Sequence, residues 1–382
     1  MSTAWPTAPL SDVLVHYTES IASPEPREYP KLSVKLYGKG VVLDTPADGT
    51  ALRMKRHQLA KAGQVILSEI WGKKGAVGFV PPKGHGALCT SHFFLFDVRT
   101  DKLDRRWLQA IFEANYLQEQ LGAEARGTTG YAAVRPKTFL ACRIPLPPLT
   151  EQQRVMAWIQ DLSAQLREAH TLCRESSAQT QALLTAEFRR LTDAAKLMPM
   201  RTVAPLLRRP VVLSSDTTYP ELGIRSFGKG TFHKPALSAA EVGTKRLFHI
   251  EPGDLLFSNV FAWEGAVAVA QPQDAGRCGS HRFITCVPVQ GRATAEFLKF
   301  FFLTPEGLRK LGEASPGGAG RNRTLGLTAL ANIDVPLPSY NAQQRFGALL
   351  AQAREAEALR TEAEAELDAL DKALLDQVFR GM

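Results

Sequence analysis

The chain has no run of eighteen apolar residues, so no membrane-spanning helix is expected and a membrane is not an expected partner. Its first residues, MSTAWPTAPL, hold no basic stretch followed by an apolar one, which argues against a secretion signal. Cysteine is scarce. Cys89, Cys142, Cys173, Cys278 and Cys286 are odd in number, widely spaced and never in a CxxC pair. That pattern predicts neither a disulfide framework nor a metal site, and a reducing cytoplasm suits it best. Catalytic signatures are also missing: there is no GxxxxGK(S/T) phosphate loop, no GxSxG nucleophile elbow and no HExxH zinc helix. Nor is there the glycine pattern of an S-adenosylmethionine site or the Asn-Pro-Pro-aromatic tetrapeptide of a DNA amino-methyltransferase. Paired carboxylates followed by a lysine at nuclease spacing are not found either. A chain without catalytic residues, bound cofactor or metal is therefore expected.

What is present is length for two or three domains and apolar residues for real cores: 382 residues, 45% hydrophobic. The net charge of +8 is unevenly placed. Residues 341–382 carry −3 and residues 150–196 are neutral, leaving +11 on the rest. Basic charge gathered outside two segments suits a polyanion, whose phosphates release counterions when neutralised.

The strongest signal is an internal repeat. YPKLSVKLYGKG from Tyr29 and YPELGIRSFGKG from Tyr219 agree at six of twelve positions, and three more are conservative. KAGQVILS from Lys61 answers EPGDLLFS from Glu251, and GAV recurs at Gly75 and Gly265. CTSHFFLF from Cys89 answers CGSHRFIT from Cys278, and LGAEA from Leu121 answers LGEAS from Leu311. IPLPPLTEQQRV from Ile144 returns as VPLPSYNAQQRF from Val335, and ALLTAEFRR from Ala182 as ALLDQVFRG from Ala373. The offset stays within 189–191 throughout, so the chain reads as a tandem duplication of a unit of roughly 190 residues.

Each unit ends in a helix-forming stretch. Residues 150–196 contain neither glycine nor proline, and 341–380 contain no proline and one glycine, Gly347. Some forty residues at 1.5 Å each span roughly 60 Å. Pro145, Pro147 and Pro148 hold the chain extended before the first helix, and Pro336 and Pro338 before the second. Thr150 with Gln153, and Asn341 with Gln344, are the expected capping pairs. A heptad frame places Phe346, Ala353, Arg360, Leu367 and Leu374 at a, and Leu349, Ala356, Ala363, Leu370 and Gln377 at d. Its shifted copy holds Val155, Leu162, Ala169, Ser176 and Leu183, with Trp158, Gln165, Leu172, Gln179 and Ala186. Such narrow seams predict that the helices pair with each other, antiparallel if the units are related by a pseudo-two-fold. Val155, Trp158, Leu162, Leu172, Leu183, Phe346, Leu349, Leu367, Leu370 and Leu374 are the expected helix-pairing and partner-docking residues.

Before each helix, short β-like runs (QVILSEIW and HFFLFDV; DLLFSNV and HRFITCV) mix with helical ones (RRWLQAIFEANYLQEQL; AEFLKFFFLTPEGLRKL). The expected fold class is α+β: two globular mixed domains, 1–149 and 199–340, alternating with two helical segments, 150–198 and 341–382, that form an antiparallel coiled coil. His92 and His281 recur after a serine and are read as satisfying local backbone. Groups suited to DNA are plentiful. Lys39 and Lys229 lie in the shared aromatic-Gly-Lys-Gly turn beside Tyr37 and Phe227, where backbone and ammonium can approach a phosphate together. WGKKG offers Trp71, Lys73 and Lys74, whereas FAWEG keeps Trp263 but turns acidic at Glu264. Arg126, Thr128, Thr129 and Arg135, then Arg321, Asn322 and Arg323, lie in loops ahead of the proline phrase. Arginine and asparagine make bidentate contacts to guanine and adenine edges.

IPLPPLTEQQRV and VPLPSYNAQQRF, each closing a globular part and opening a long helix, resemble the specificity subunit of type I restriction-modification systems, as does the ALLDQVFRG ending. The resemblance spans essentially the whole chain. It implies two target-recognition domains, each reading one half of a split site in double-stranded DNA. The helices would act as ruler and docking surface for two copies of a methyltransferase subunit, on which S-adenosylmethionine would be bound, and a motor-nuclease subunit would join them. It also implies a non-catalytic chain. The second phrase departs from the first, with Asn341-Ala342 in place of Thr150-Glu151, which removes the helix-start acid. Two other readings stand beside this one: a DNA methyltransferase or nuclease with unrecognised motifs, and a coiled-coil scaffold binding only proteins.

Overall fold

The computed structural model describes residues 5–21, 25–49, 57–123, 133–317 and 323–380. The chain divides into two compact units, Met1–Cys173 with Thr361–Met382, and Arg174–Arg360. Each unit boundary falls inside a long helix, one running Leu149–Thr192 and the other Tyr340–Arg380.

In the first unit the strands Leu14–Tyr17, Phe93–Val98, Val65–Ser68 and Val77–Phe79 form an antiparallel sheet in that order. In the second, Leu255–Ser258 lies between Val267–Val269 and Phe283–Cys286. The registers superimpose at the sequence offset: Val65 faces Phe79 and Phe96, and Leu255 faces Val269 and Cys286. A hairpin repeats as well, Glu28–Val34 with Val41–Asp48 and Thr218–Ile224 with Thr231–Ser238. It carries an irregularity within one residue of the matched place in both copies, between Tyr29 and Lys31 and between Pro220 and Leu222. Duplication is thus written into hydrogen-bond register as well as into residue identity.

Each sheet packs on a helix whose apolar face is fixed by period 3.6. Arg105–Glu113 is capped by Asp104, which accepts the Arg106 N–H at 2.8 Å, and Ala295–Leu303 is capped by Thr294. The long helical run expected after Arg105 breaks in two, with a second helix at Gln118–Ala123 and Asn115 at φ 52° between them. In the other copy Thr304-Pro305 makes the break, and the second helix is Pro305–Glu313. Proline cannot continue the preceding helix, whereas it suits the first turn of the next.

The proline phrases close each unit as a short strand leading into a long helix. Arg143–Pro145 pairs antiparallel with Thr7–Pro9, and Asp334–Leu337 pairs with Lys196–Pro199. The helices begin at Leu149 and Tyr340 rather than at Thr150 and Asn341. Gln153 and Gln344, the expected capping partners, are exposed. In the second start Ser339 does the capping, its Oγ accepting the Ala342 N–H at 3.4 Å.

The preceding glutamine of each phrase carries the contacts. Gln152 and Gln343 are both 0% exposed. Gln152 Oε1 accepts the Asp104 N–H at 2.9 Å, while its Nε2 donates to the Lys102 and Pro147 carbonyls at 3.0 and 2.8 Å. Gln343 does the same with Thr294, Arg292 and Pro338 at 3.0, 3.0 and 2.9 Å. Each amide ties a long-helix start to the cap of the sheet-packing helix.

The long helices pair antiparallel. Within the first unit Val155, Met156 and Ile159 share a core with Leu374, Val378 and Phe379, and His170 lies 3.6 Å from Asp368. Within the second, Phe188 packs on Phe346 at 5.7 Å, and Ser177 bonds Glu357. The heptad frame placed Trp158, Leu172, Leu183 and Leu370 in the seam, but these are 53%, 58%, 57% and 58% exposed. On the first helix the inward-facing line steps by four and then three, through buried Val155 and Ile159, half-buried Leu162 and buried Leu166. Packing of Met156 and Ile159 on the globular core sets that phase, one residue away from the frame chosen from a and d spacing alone. Val155, Phe346 and Leu374 are buried, and Leu162, Leu349 and Leu367 are half-buried.

Among the described residues no helix is long and apolar enough to cross a membrane.

Candidate functional site

The aromatic-Gly-Lys-Gly turn lies against the tryptophan-bearing turn in each unit. In the first, the Tyr37 N–H donates to the Lys74 carbonyl at 2.8 Å and the Gly38 N–H to the Gly75 carbonyl at 2.9 Å. In the second, Phe227 donates to Glu264 at 2.9 Å and Gly228 to Gly265 at 2.8 Å. The turn also abuts the end of the sheet-packing helix. A Cβ on Gly38 would run into the Phe112 carbonyl, and one on Gly228 into the Leu303 side chain. Tyr37 and Phe227 are left at φ 58° and 60°. This left-handed conformation costs a residue with a side chain roughly 1–2 kcal/mol. Both residues nonetheless face solvent, 52% and 74% exposed, and Lys39 and Lys229 beside them are exposed.

The second turn is built on a 3-10 segment in each copy, Gly72–Lys74 and Ala262–Glu264. Its entry is fixed by a serine: Ser68 Oγ accepts the Trp71 N–H and Ser258 Oγ the Phe261 N–H. The Lys74 ammonium stands 5.0 Å from the Trp71 ring centroid, and Trp71 is exposed. Lys73 is half-buried in the same turn. Trp263 is half-buried, donates Nε1–H to the Val260 carbonyl, and has the Arg323 guanidinium 5.1 Å from its ring. Glu264 accepts from Ser226 Oγ at 3.1 Å, so the acidic replacement is tied to the aromatic turn packed against it.

Structure thus brings Tyr37, Lys39, Trp71, Lys73 and Lys74 together in one unit and Phe227, Lys229, Trp263 and Arg323 in the other. Arg126, Thr128, Thr129, Arg321 and Asn322 lie outside the described residues. Arg135 is drawn to Glu69, with Nη1 2.6 Å from the carboxylate.

Glu69 was not singled out by its sequence. Its carboxylate, 11% exposed, meets Arg135 on one oxygen and His92 Nδ1, at 2.8 Å, on the other. His92 therefore bonds a carboxylate rather than local backbone. The matched residue is Asn259, whose Oδ1 is buried with no hydrogen-bond partner among the described residues, and His281 there is exposed. The backbone frame is the same in both copies: Val134 N–H donates to the Glu69 carbonyl and Leu325 N–H to that of Asn259. The divergence after a shared serine, Ser68-Glu69 against Ser258-Asn259, was the signal available in the sequence. Cys89 and Cys278, which open the other repeated phrase, are buried, and burial pushes the Cys89 thiol up to about 12. They belong to the scaffold behind the site.

What each arrangement offers is a rigid turn presenting an aromatic face with cations around it, suited to a polyanion that carries planar rings. No family model matches the chain, and no curated protein sequence does. Solved structures do match. The HsdS subunit from Thermoanaerobacter tengcongensis superimposes with a TM-score of 0.70 at 21% identity, covering 100% of this chain and 98% of that one. A chain from a structure of a type I R-M system, solved for its complex assembly and conformational transition, gives 0.63 at 21% identity with the same coverage. Over its whole length, this chain has the fold of an HsdS subunit of type I restriction-modification systems.

Proposed function

We propose that this chain is the DNA sequence-specificity subunit of a type I restriction-modification complex, itself non-catalytic and working in the cytoplasm. Residues 1–149 and 199–340 are its two target-recognition domains, each reading one half of a bipartite site in double-stranded DNA. The observation that carries the reading is the full-length HsdS fold, with a matched aromatic and basic turn presented in each repeat. Lys39, Lys74 and Lys229 hold phosphates. Trp71 and Arg323, together with Arg126, Thr128, Thr129, Arg321 and Asn322, supply groups for base edges. Trp158, Leu172, Leu183 and Leu370, apolar and exposed on the long helices, dock the methyltransferase subunits, two copies in keeping with the duplication. S-adenosylmethionine is bound by those subunits, and a motor-nuclease subunit completes the assembly.

The chain combined with its methyltransferase partner is expected to bind target duplex with an affinity that falls steeply with salt, and to transfer labelled methyl groups to it. Methyl transfer by the chain alone would overturn the assignment, as would a salt-independent complex.

A further inference from the structure

We infer that Tyr37 and Phe227 are equivalent base-contacting residues of the two half-site readers, each pressing its ring on a nucleobase while Lys39 or Lys229 holds the neighbouring phosphate. The inference rests on the DNA-recognition reading above and names the residues through which it works. Its starting point is a mismatch between conformation and residue type. The turn needs a left-handed residue at this position, which glycine adopts without strain. The chain uses glycine at the next position and again two further on, Gly38 and Gly40, then Gly228 and Gly230, all at positive φ. At the first position it instead keeps an aromatic residue, in both copies.

Packing does not explain that choice. Phe227 is 74% exposed and Tyr37 52% exposed, while each turn is held by two backbone hydrogen bonds, one from the aromatic residue's own N–H and one from that of the glycine after it. A strained residue fixed by its backbone and facing outward is pre-organised for an external contact. The surroundings name that contact's charge. Lys39 and Lys229 are exposed two residues on, Lys74 lies across the first turn, and Arg225 precedes the second. Exposed rings among cations fit an anionic backbone with stacked bases, and stacking tolerates the change from tyrosine to phenylalanine because both offer the same face. A turn with no external role would lose nothing by becoming all glycine.

The test uses Tyr37→Gly and Phe227→Gly, with Tyr37→Phe as control, each in complex with the methyltransferase subunit. The probe is a duplex carrying the site that the wild-type complex methylates, together with duplexes altered in one half-site or the other. Glycine variants are expected to melt no lower than wild type, since the left-handed strain is relieved. They are expected to bind target about ten- to a hundredfold more weakly, the worth of one stacked base. Discrimination should fail at one half-site for Tyr37→Gly and at the other for Phe227→Gly, whereas Tyr37→Phe should stay within about twofold of wild type. Glycine variants with unchanged affinity and half-site discrimination overturn the inference and leave the specificity-subunit reading intact. Glycine variants that melt clearly lower overturn it as well, because the rings are then structural. A wild-type complex with no sequence preference removes both.

Discussion

The five cysteines separate into two chemical kinds according to what surrounds each sulfur. Cys89, Cys142, Cys278 and Cys286 are buried, and burial pushes the thiols of Cys89 and Cys286 up to about 12. At pH 8 a thiol of that kind is ionised to roughly one part in ten thousand, and the thiolate is the form that reacts. Cys173 is half-exposed on a long helix. A disulfide-exchange reagent at pH 8 is therefore expected to modify one thiol of the folded chain quickly, and the other four only on unfolding. Cys173→Ser should abolish the fast phase, and a persistent fast phase in that variant would contradict the burial pattern. The scarcity and spacing of cysteine were legible in the sequence; which sulfur is shielded was not, because shielding comes from strands far apart along the chain. The same holds at Glu69. A carboxylate after a serine gives no warning that Arg135, 66 positions later, and His92 will converge on it.

Among elements, the joint between each globular part and its long helix has the sharpest energetics. Gln152 and Gln343 each satisfy one backbone N–H and two carbonyls in places closed to water. Gln152→Leu or Gln343→Leu should cost about 2–4 kcal/mol in denaturant unfolding, through buried groups left unpaired. Gln153→Leu, one position along and exposed, should stay within about 0.5 kcal/mol. Equal effects at 152 and 153 would sink this account. The repeated glutamine pair announced that something was needed there, but capping logic selected the wrong member. A cap is a local pattern; the true partners, Asp104 and Thr294, lie 48 and 49 residues upstream. Helix existence was clear from missing prolines, and seam phase was not, because a helix that also packs on a sheet follows the sum of both contacts. The rings on the turn show the opposite balance: the repeated Tyr-Gly-Lys-Gly and Phe-Gly-Lys-Gly were visible at once, and only the backbone dihedrals revealed that they are strained.

For the molecule as a whole, duplication was the most legible feature, since it is stored as identity at a fixed offset. What that offset does not show is where the contacts close. Phe188 packs on Phe297 at 5.0 Å, and its copy Phe379 packs on Trp107, the copy of Phe297, also at 5.0 Å. The aromatic at the end of the second helix thus completes the core of the first unit. Phe379→Ala is expected to destabilise that unit by about 3–5 kcal/mol, and Phe188→Ala the other by a similar amount. Amide exchange resolved by segment reads the difference: protection should fall over residues 57–123 in one variant and over 247–317 in the other. A uniform loss in both would count against two separate cores. Such an arrangement also sets an order of birth. The stretch Arg174–Arg360 has all its own parts once it has left the ribosome, whereas residues 1–173, though synthesised earlier, must wait for residues 361–382 before their hydrophobic interior can shut. A chain stalled before residue 361 would therefore leave the earlier-made unit open and the later-made one closed, and quality-control proteases would meet the defect in the earlier of the two.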